Sequence, residues 1–100
     1  MLNNLITRTD AIDGLAEILK GLAEPTRLKI LLFLKDAGHP VCVRGISKHL
    51  GITESAVSQH LKVLRRLKFV EANRNGYFVH YAWIPKSLIE VCEKMRSLLS

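Results

Sequence analysis

The stretch VRGISKHLGITESAVSQHLKVLRRLKF, from Val43 to Phe69, decides the fold. It predicts a short helix that stops at Gly51, because glycine commonly follows a helix in the left-handed conformation. A longer helix follows, and the hydroxyl of Thr53 is placed to cap its first turn. Two helices braced across a glycine-containing turn match the helix-turn-helix plan.

The longer helix has two unlike sides. Apolar residues recur at helical spacing along one of them: Val57, Leu61, Leu64 and Leu67. The other side carries short polar and basic residues: Ser55, Ser58, Gln59, Lys62 and Arg66. Such a side is either simply solvated or suited to a polyanion, and this pattern alone leaves both interpretations open.

After this helix the pattern changes to a period of two. Residues 69–74 and 77–83 are typical of strands, and Asn75-Gly76 between them predicts a β-hairpin with a type I′ turn. Residues 41–43 predict one more, very short strand. One face of the second hairpin strand is expected to pack against the helices through Val79, Tyr81 and Trp83.

Three further helices are predicted from apolar periodicity, over Asp10–Leu22, Pro25–Lys35 and Pro85–Leu99. The second is apolar almost all round, so we expect it at the buried centre of the domain. Residues 1–9 predict a frayed arm or an early helical turn. The expected stripe of the last helix comprises Leu88, Cys92, Met95 and Leu99. The chain is therefore expected to be mainly α with a small β-hairpin, in the winged helix-turn-helix order α-α-(β)-α-α-β-β-α.

The composition predicts one domain with a polyanionic partner. Lys and Arg outnumber Asp and Glu by 15 to 9 in 100 residues, which favours nucleic acid. A membrane is not an expected partner, because the basic residues are not gathered on one amphipathic helix. Without a signal-peptide pattern or a long apolar run, the expected location is cytoplasmic. The sequence contains no phosphate loop, nucleophile elbow or zinc-hydrolase pattern, so an enzyme is not expected.

Three segments of the chain resemble the ArsR/SmtB family of prokaryotic winged-helix repressors. They are GLAEPTRLKILLFL (residues 21–34), ISKHLGITESAVSQHLKVLRRLKFV (residues 46–70) and NGYFVHYAW (residues 75–83). The resemblance implies a homodimer that binds a double-stranded operator with inverted repeats and blocks transcription until a signal lowers its affinity. It also implies that the first and last helices of the single domain, residues 1–100, form the dimer interface.

In such a repressor the longer helix enters the major groove and the hairpin reaches the neighbouring backbone. Lys62, Arg65 and Arg66 are expected to contact phosphates. Gln59 is the predicted base reader, because a carboxamide pairs with the edge of adenine. The hairpin tip adds a cation and a hydrogen-bonding group. The full predicted DNA-binding set is Thr53, Ser55, Ser58, Gln59, His60, Lys62, Arg66, Arg74 and Asn75.

The metal sites of the resembled family are incomplete in this sequence. Where that family has Cys-x-Cys followed by an acid, this chain has Cys42, Arg44 and Gly45. One thiolate beside a cation is a poor site for a soft metal, and the last helix contains no histidine. No metal or other cofactor is predicted, and the inducer is unknown.

The two cysteines leave three interpretations open. In the first, Cys42 and Cys92 are buried as small hydrophobic side chains. In the second, they form a thiol redox or persulfide switch, as paired cysteines do in some relatives. In the third, they join His39 or His80 as ligands of an unorthodox metal site. The whole chain also has a rival interpretation, a winged helix that binds protein instead of DNA. Glu54 supports that rival, because it places an anion at the start of the helix that must approach phosphates.

Overall fold

The computed structural model describes the backbone of residues 2–100 and the side chains of residues 8–100. Over this range the elements are α1 (Leu2–Leu22), α2 (Pro25–Ala37), β1 (Val41–Cys42), α3 (Val43–Leu50), α4 (Glu54–Arg66), β2 (Val70–Asn75), β3 (Phe78–Trp83) and α5 (Pro85–Leu99). This order confirms the predicted winged helix-turn-helix. The first helix begins at Leu2 and not at Asp10, whereas Met1 lies outside the described residues. No helix in the described part of the chain has both the length and the apolar content needed to cross a membrane.

The helix-turn-helix consists of α3 and α4, and local side chains define its turn. Gly51 ends α3 with a φ of 67°, and its backbone N–H donates to the carbonyl of Ser47. Thr53 caps α4 by accepting a hydrogen bond of 3.1 Å from the backbone N–H of Ala56. Both caps confirm the sequence prediction, because glycine tolerates the left-handed conformation and threonine satisfies a free helix donor.

A three-stranded antiparallel sheet in the order β1-β3-β2 forms the wing and its support. Asn75 pairs with Phe78, so the hairpin turn consists of Gly76 and Tyr77. The predicted type I′ turn at Asn75-Gly76 is therefore wrong by one residue. Gly76 has a φ of 65°, whereas neither Asn75 nor Tyr77 has a positive φ. Glycine alone in the first turn position is typical of a type II′ turn, which also suits the twist of a hairpin.

The core lies between α2, α4, the start of the sheet and the inner sides of α1 and α5. Its buried side chains are Leu15, Leu22, Ile30, Leu31, Leu34, Ile46, Val57, Leu61, Leu64, Phe69, Val70 and Val91. Helix α2 contributes Ile30, Leu31 and Leu34 to the core, as expected for a central helix, but Leu28 and Leu32 are more than half exposed. In the part of the chain whose side chains are described, α2 is therefore buried on one side only, although it is apolar almost all round.

The first and last helices pack against each other along one edge. Val91 is buried on the inner side of α5, and Met95 and Leu98 pack against the core beside it. Of the predicted α5 stripe, Met95 is half-buried in the single chain, and the other members are exposed: Leu88, Cys92 and Leu99. At its other end α1 approaches α4 so closely that a Cβ on Gly21 would overlap the side chain of Leu67.

Candidate nucleic-acid interface

The outer side of α4 is exposed and free of large apolar residues. Its exposed side chains are Ser55, Ser58, Gln59, Lys62, Arg65 and Arg66. Their orientation follows from the burial of Val57, Leu61 and Leu64 on the inner side, since residues at these spacings share one helix face. The hydroxyl of Thr53 caps α4 by accepting from the backbone N–H of Ala56, and its predicted contact with DNA stays a prediction.

A basic groove runs between α4 and β3. It has a volume of about 500 Å³ and is lined by Ser58, Leu61, Lys62, Arg65, Arg66 and Tyr81. Its charged lining residues are all cations, so the groove attracts an anion such as a phosphate. The sequence predicted that Tyr81 would face the helices but did not identify it as part of this surface. The alternation of residues along β3 was the available signal, since it places Tyr81 on the side of α4.

The wing tip combines polar and aromatic groups. Arg74 and Asn75 are exposed near the end of β2, where they pair with Val79 and Phe78. Tyr77 stands in the turn and is 100% exposed. The sequence prediction included the first two residues and missed Tyr77, because it placed the turn one residue too early.

His60 lies on the side of α4 that faces α2 and not on the open polar side. Its Nδ1 is 3.3 Å from Nη1 of Arg27 and 3.8 Å from Oε2 of Glu24. Glu24 in turn caps α2 by accepting from the backbone N–H of Arg27. That hydrogen bond is the main reason why the pKa of Glu24 lies below its usual value, and the nearby charges of His60 and Arg27 act in the same direction. Both partners of His60 belong to the segment AEPTR, residues 23–27. The sequence did not predict that this segment contacts α4.

The cysteines are free thiols on separate elements. Cys42 is half-buried and lies opposite His80 in the pairing of β1 with β3. Cys92 is exposed on α5, so burial as a small hydrophobic side chain does not describe it within the single chain. Among the residues whose placement is described, no three His, Cys, Asp or Glu side chains gather into a metal-binding group. A thiol switch at these residues stays a prediction.

Comparison with known proteins links this geometry to one group of regulators. The model of the bacterial regulatory protein arsR family matches residues 24–72. The HTH-type transcriptional regulator CmtR of Mycobacterium tuberculosis is 45% identical over 70 residues, which are 69% of this chain and 57% of CmtR. The chain thus spans little more than half the length of that relative. The transcriptional repressor SdpR of Bacillus subtilis is 32% identical over 65 residues, 65% of this chain and 70% of SdpR.

A solved structure also resembles the whole fold. The solution NMR structure of the homodimeric winged helix-turn-helix DNA-binding domain Mb0332 from Mycobacterium bovis, a possible ArsR-family transcriptional regulator, superposes with a TM-score of 0.72. It is 25% identical, and the match covers 91% of this chain and 82% of that domain. The shared region includes the helix-turn-helix and the wing, the two parts that form the basic groove.

Proposed function

Because the chain belongs to the arsR family of bacterial regulatory proteins, we propose that it is a transcriptional repressor that binds DNA sequence-specifically. The basic groove between α4 and β3 supports this most directly, since it places three cations beside an exposed polar helix face. A phosphate backbone seated in that groove would bring the outer side of α4 to the base edges. We expect the repressor to act in the cytoplasm, where DNA is accessible to a bacterial regulator. It is not an enzyme, since the relatives that it resembles are transcriptional regulators.

We further propose that the chain acts as a homodimer through α1 and α5. These helices leave Ile12, Leu19, Ile89 and Leu99 exposed, although each of these side chains is large and apolar. A groove of about 410 Å³ between the two helices, lined by Leu15, Ile18 and Leu98 among others, continues this surface. Two-fold pairing would place two copies of α4 about one DNA turn apart, roughly 34 Å, and so match an inverted repeat.

The exposed residues divide into two roles at the DNA. Lys62, Arg65 and Arg66 contact phosphates and set the affinity and its dependence on salt. Gln59 reads a base edge, since its carboxamide both donates and accepts. Ser55 and Ser58 stand beside Gln59 at the same surface, while Arg74 and Asn75 bring the wing to the flanking backbone.

A binding titration at several salt concentrations tests both roles. The probes are a duplex that the protein selects from a random pool and a scrambled duplex of equal length. Gln59→Ala should reduce the discrimination between them by about 1–3 kcal/mol. Lys62→Ala should weaken both alike and lower the slope of log K against log salt by about 1.

The matched control is Lys86→Ala, which removes an exposed cation from α5. It should leave the discrimination and the salt slope unchanged. Equal loss on both duplexes from Gln59→Ala would contradict its base-reading role.

The exposed aromatic side chains Tyr77 and Phe78 favour a second candidate, a winged helix that binds protein. Aromatic residues are enriched at protein interfaces, and Glu54 adds an anion at the start of α4. The same titration separates the two candidates. Absence of DNA binding, or binding that ignores salt, would favour the protein-binding module.

A further inference from the structure

Tyr81 lies on the central strand of the sheet, and its side chain is on the side of α4. Its backbone pairs with Val41 of β1 on one edge and with Ala72 of β2 on the other. The ring is half-buried and packs against the core. The place of Tyr81 in the basic groove is therefore set by the sheet and the core, and not by a flexible loop.

The hydroxyl of Tyr81 has no hydrogen-bond partner among the residues whose side chains are described. Its neighbours across the strands, Val41 and Ala72, have apolar side chains that accept and donate nothing. A tyrosine hydroxyl that is withdrawn from water normally finds a partner, because desolvating it without one costs free energy. Within residues 8–100 no side-chain oxygen or nitrogen is both buried and unpaired. The hydroxyl is therefore accessible, in a residue that lines the basic groove.

The charges around this hydroxyl are all positive. Each cation that lines the groove lacks an ion pair in the described part of the chain: Lys62, Arg65 and Arg66. The one acid of β2, Glu71, pairs with Ala82 and therefore lies on the opposite face of the sheet from Tyr81. No carboxylate on the described lining of the groove competes for these cations.

The polar lining of the groove consists of hydrogen-bond donors. Lysine and arginine side chains only donate, and the hydroxyls of Ser58 and Tyr81 donate as well. Such a lining is complementary to a group that carries negative charge and only accepts hydrogen bonds. The phosphodiester of a DNA backbone has both properties.

We propose that the hydroxyl of Tyr81 donates a hydrogen bond to a DNA phosphate in the basic groove, and that α4 and the wing hold this phosphate jointly. The inference rests on the proposed function, because the ligand is the DNA backbone. The cations reach the phosphate from α4, whereas Tyr81 reaches it from β3. One phosphate thus connects the helix proposed to read bases with the strand that carries the wing, and it fixes the position of both on the duplex.

The variant Tyr81→Phe removes the hydroxyl and retains the ring that packs against the core. It should keep the wild-type Tm and bind the selected and the scrambled duplex about tenfold more weakly, because a phosphate contact carries no sequence information. Its salt slope should stay at the wild-type value, since the lost group is uncharged, whereas Lys62→Ala lowers that slope by about 1. Wild-type affinity in Tyr81→Phe would overturn the proposal.

The matched control is Trp83→Phe. It changes an aromatic side chain two residues farther along β3, outside the groove, and should leave the affinity for both duplexes unchanged. An equal loss from Trp83→Phe and Tyr81→Phe would show that the loss comes from a disturbed strand and not from the hydroxyl.

A methylphosphonate scan of the selected duplex identifies the phosphate. Each duplex of the scan has one phosphate replaced by an uncharged methylphosphonate. At the phosphate that Tyr81 contacts, the replacement should cost the Tyr81→Phe variant less affinity than it costs the wild type, because the hydrogen bond is already absent. At every other phosphate the replacement should cost both proteins the same. Equal costs at all phosphates would refute the hydrogen bond.

The same scan with Lys62→Ala, Arg65→Ala and Arg66→Ala tests the joint contact. The phosphate coupled to Tyr81 should also be coupled to at least one of these three cations. A phosphate that is coupled to Tyr81 and to none of them would refute the joint contact of α4 and the wing. If the wild type binds neither duplex, the proposed function fails together with this inference. Loss of the coupling alone would overturn only the role of Tyr81 and leave DNA binding in place.

Discussion

Helices α4 and α5 are both amphipathic, but the single chain buries the apolar side of α4 and leaves much of the apolar surface of α5 exposed. In α4 the side chains of Val57, Leu61 and Leu64 are buried along one side, and the opposite side is polar. By contrast, α5 buries Val91 and leaves Ile89 61% and Leu99 77% exposed on other sides. The apolar side of α4 is therefore buried within the single chain, whereas α5 keeps an exposed apolar surface that another molecule could cover. The difference separates the part of the domain that presents a polar surface from the part that we propose to form the dimer.

The largest expected effect concerns α4, whose apolar side is buried within the chain. Leu64→Ala should lower the free energy of unfolding by about 3 kcal/mol, because Leu64 is fully buried and its truncation leaves a cavity in the core. Leu28→Ala, at a half-exposed position of α2, should cost less than about 1 kcal/mol. Denaturant unfolding at a fixed protein concentration measures both. Equal losses of unfolding free energy in the two variants would mean that Leu64 is no more buried than Leu28.

The next effect concerns α5, which leaves large apolar side chains exposed. Ile89→Glu should shift the protein from dimer to monomer and weaken association by about 2 kcal/mol or more, because it buries a charge at the proposed interface. The fold should persist, since Ile89 is exposed in the single chain. Sedimentation velocity over a concentration series measures the change. Lys86→Glu adds the same carboxylate at an exposed polar position and should leave the dimer intact. An unchanged mass for Ile89→Glu would exclude this side of α5 from the interface.

The sequence predicted α4 well because its determinants are local. Gly51 ends the preceding helix α3 and Thr53 caps the start of α4, each through contacts within a few residues, and the apolar stripe of α4 has one clear period. On α5 more than one apolar stripe fits the same helix. Which stripe faces inward depends on the packing against α1, and that helix is about 80 residues away in the sequence, so periodicity alone does not identify the buried residue Val91.

The errors at the candidate site have the same origin. Asn75-Gly76 satisfies the local rule for a hairpin turn, yet the pairing of Asn75 with Phe78 places the turn at Gly76 and Tyr77. The resemblance to the family implies that His60 lies near DNA. In the structure its Nδ1 contacts Arg27 on α2, 33 residues away, a contact that local patterns do not reveal, and its role at DNA stays a prediction. Contacts between distant segments therefore decided what local patterns left open.

The smallest expected effect concerns Lys68, at the contact between the end of α4 and the start of α5. Lys68 follows α4 with a φ of 67°, a conformation that an L-residue adopts at a cost of roughly 1–2 kcal/mol. The turn is required because Phe69 donates back to the carbonyl of Leu64 over 2.9 Å, and the hydroxyl of Ser87 on α5 donates to the carbonyl of Lys68. Lys68→Gly retains both backbone contacts and relieves the strain, so it should raise the free energy of unfolding by about 0.5–1 kcal/mol.

Lys68→Ala removes the same charge but keeps the strained conformation, and it should therefore leave the stability within about 0.5 kcal/mol of the wild type. Thermal unfolding of the two variants at equal protein concentration separates the backbone effect from the charge effect. Equal shifts in both would show that the left-handed conformation at Lys68 stores no strain. A gain confined to Lys68→Gly would show instead that this junction costs stability in order to set α5 against the end of α4, and so to connect the helix proposed to face DNA with the helix proposed to form the dimer.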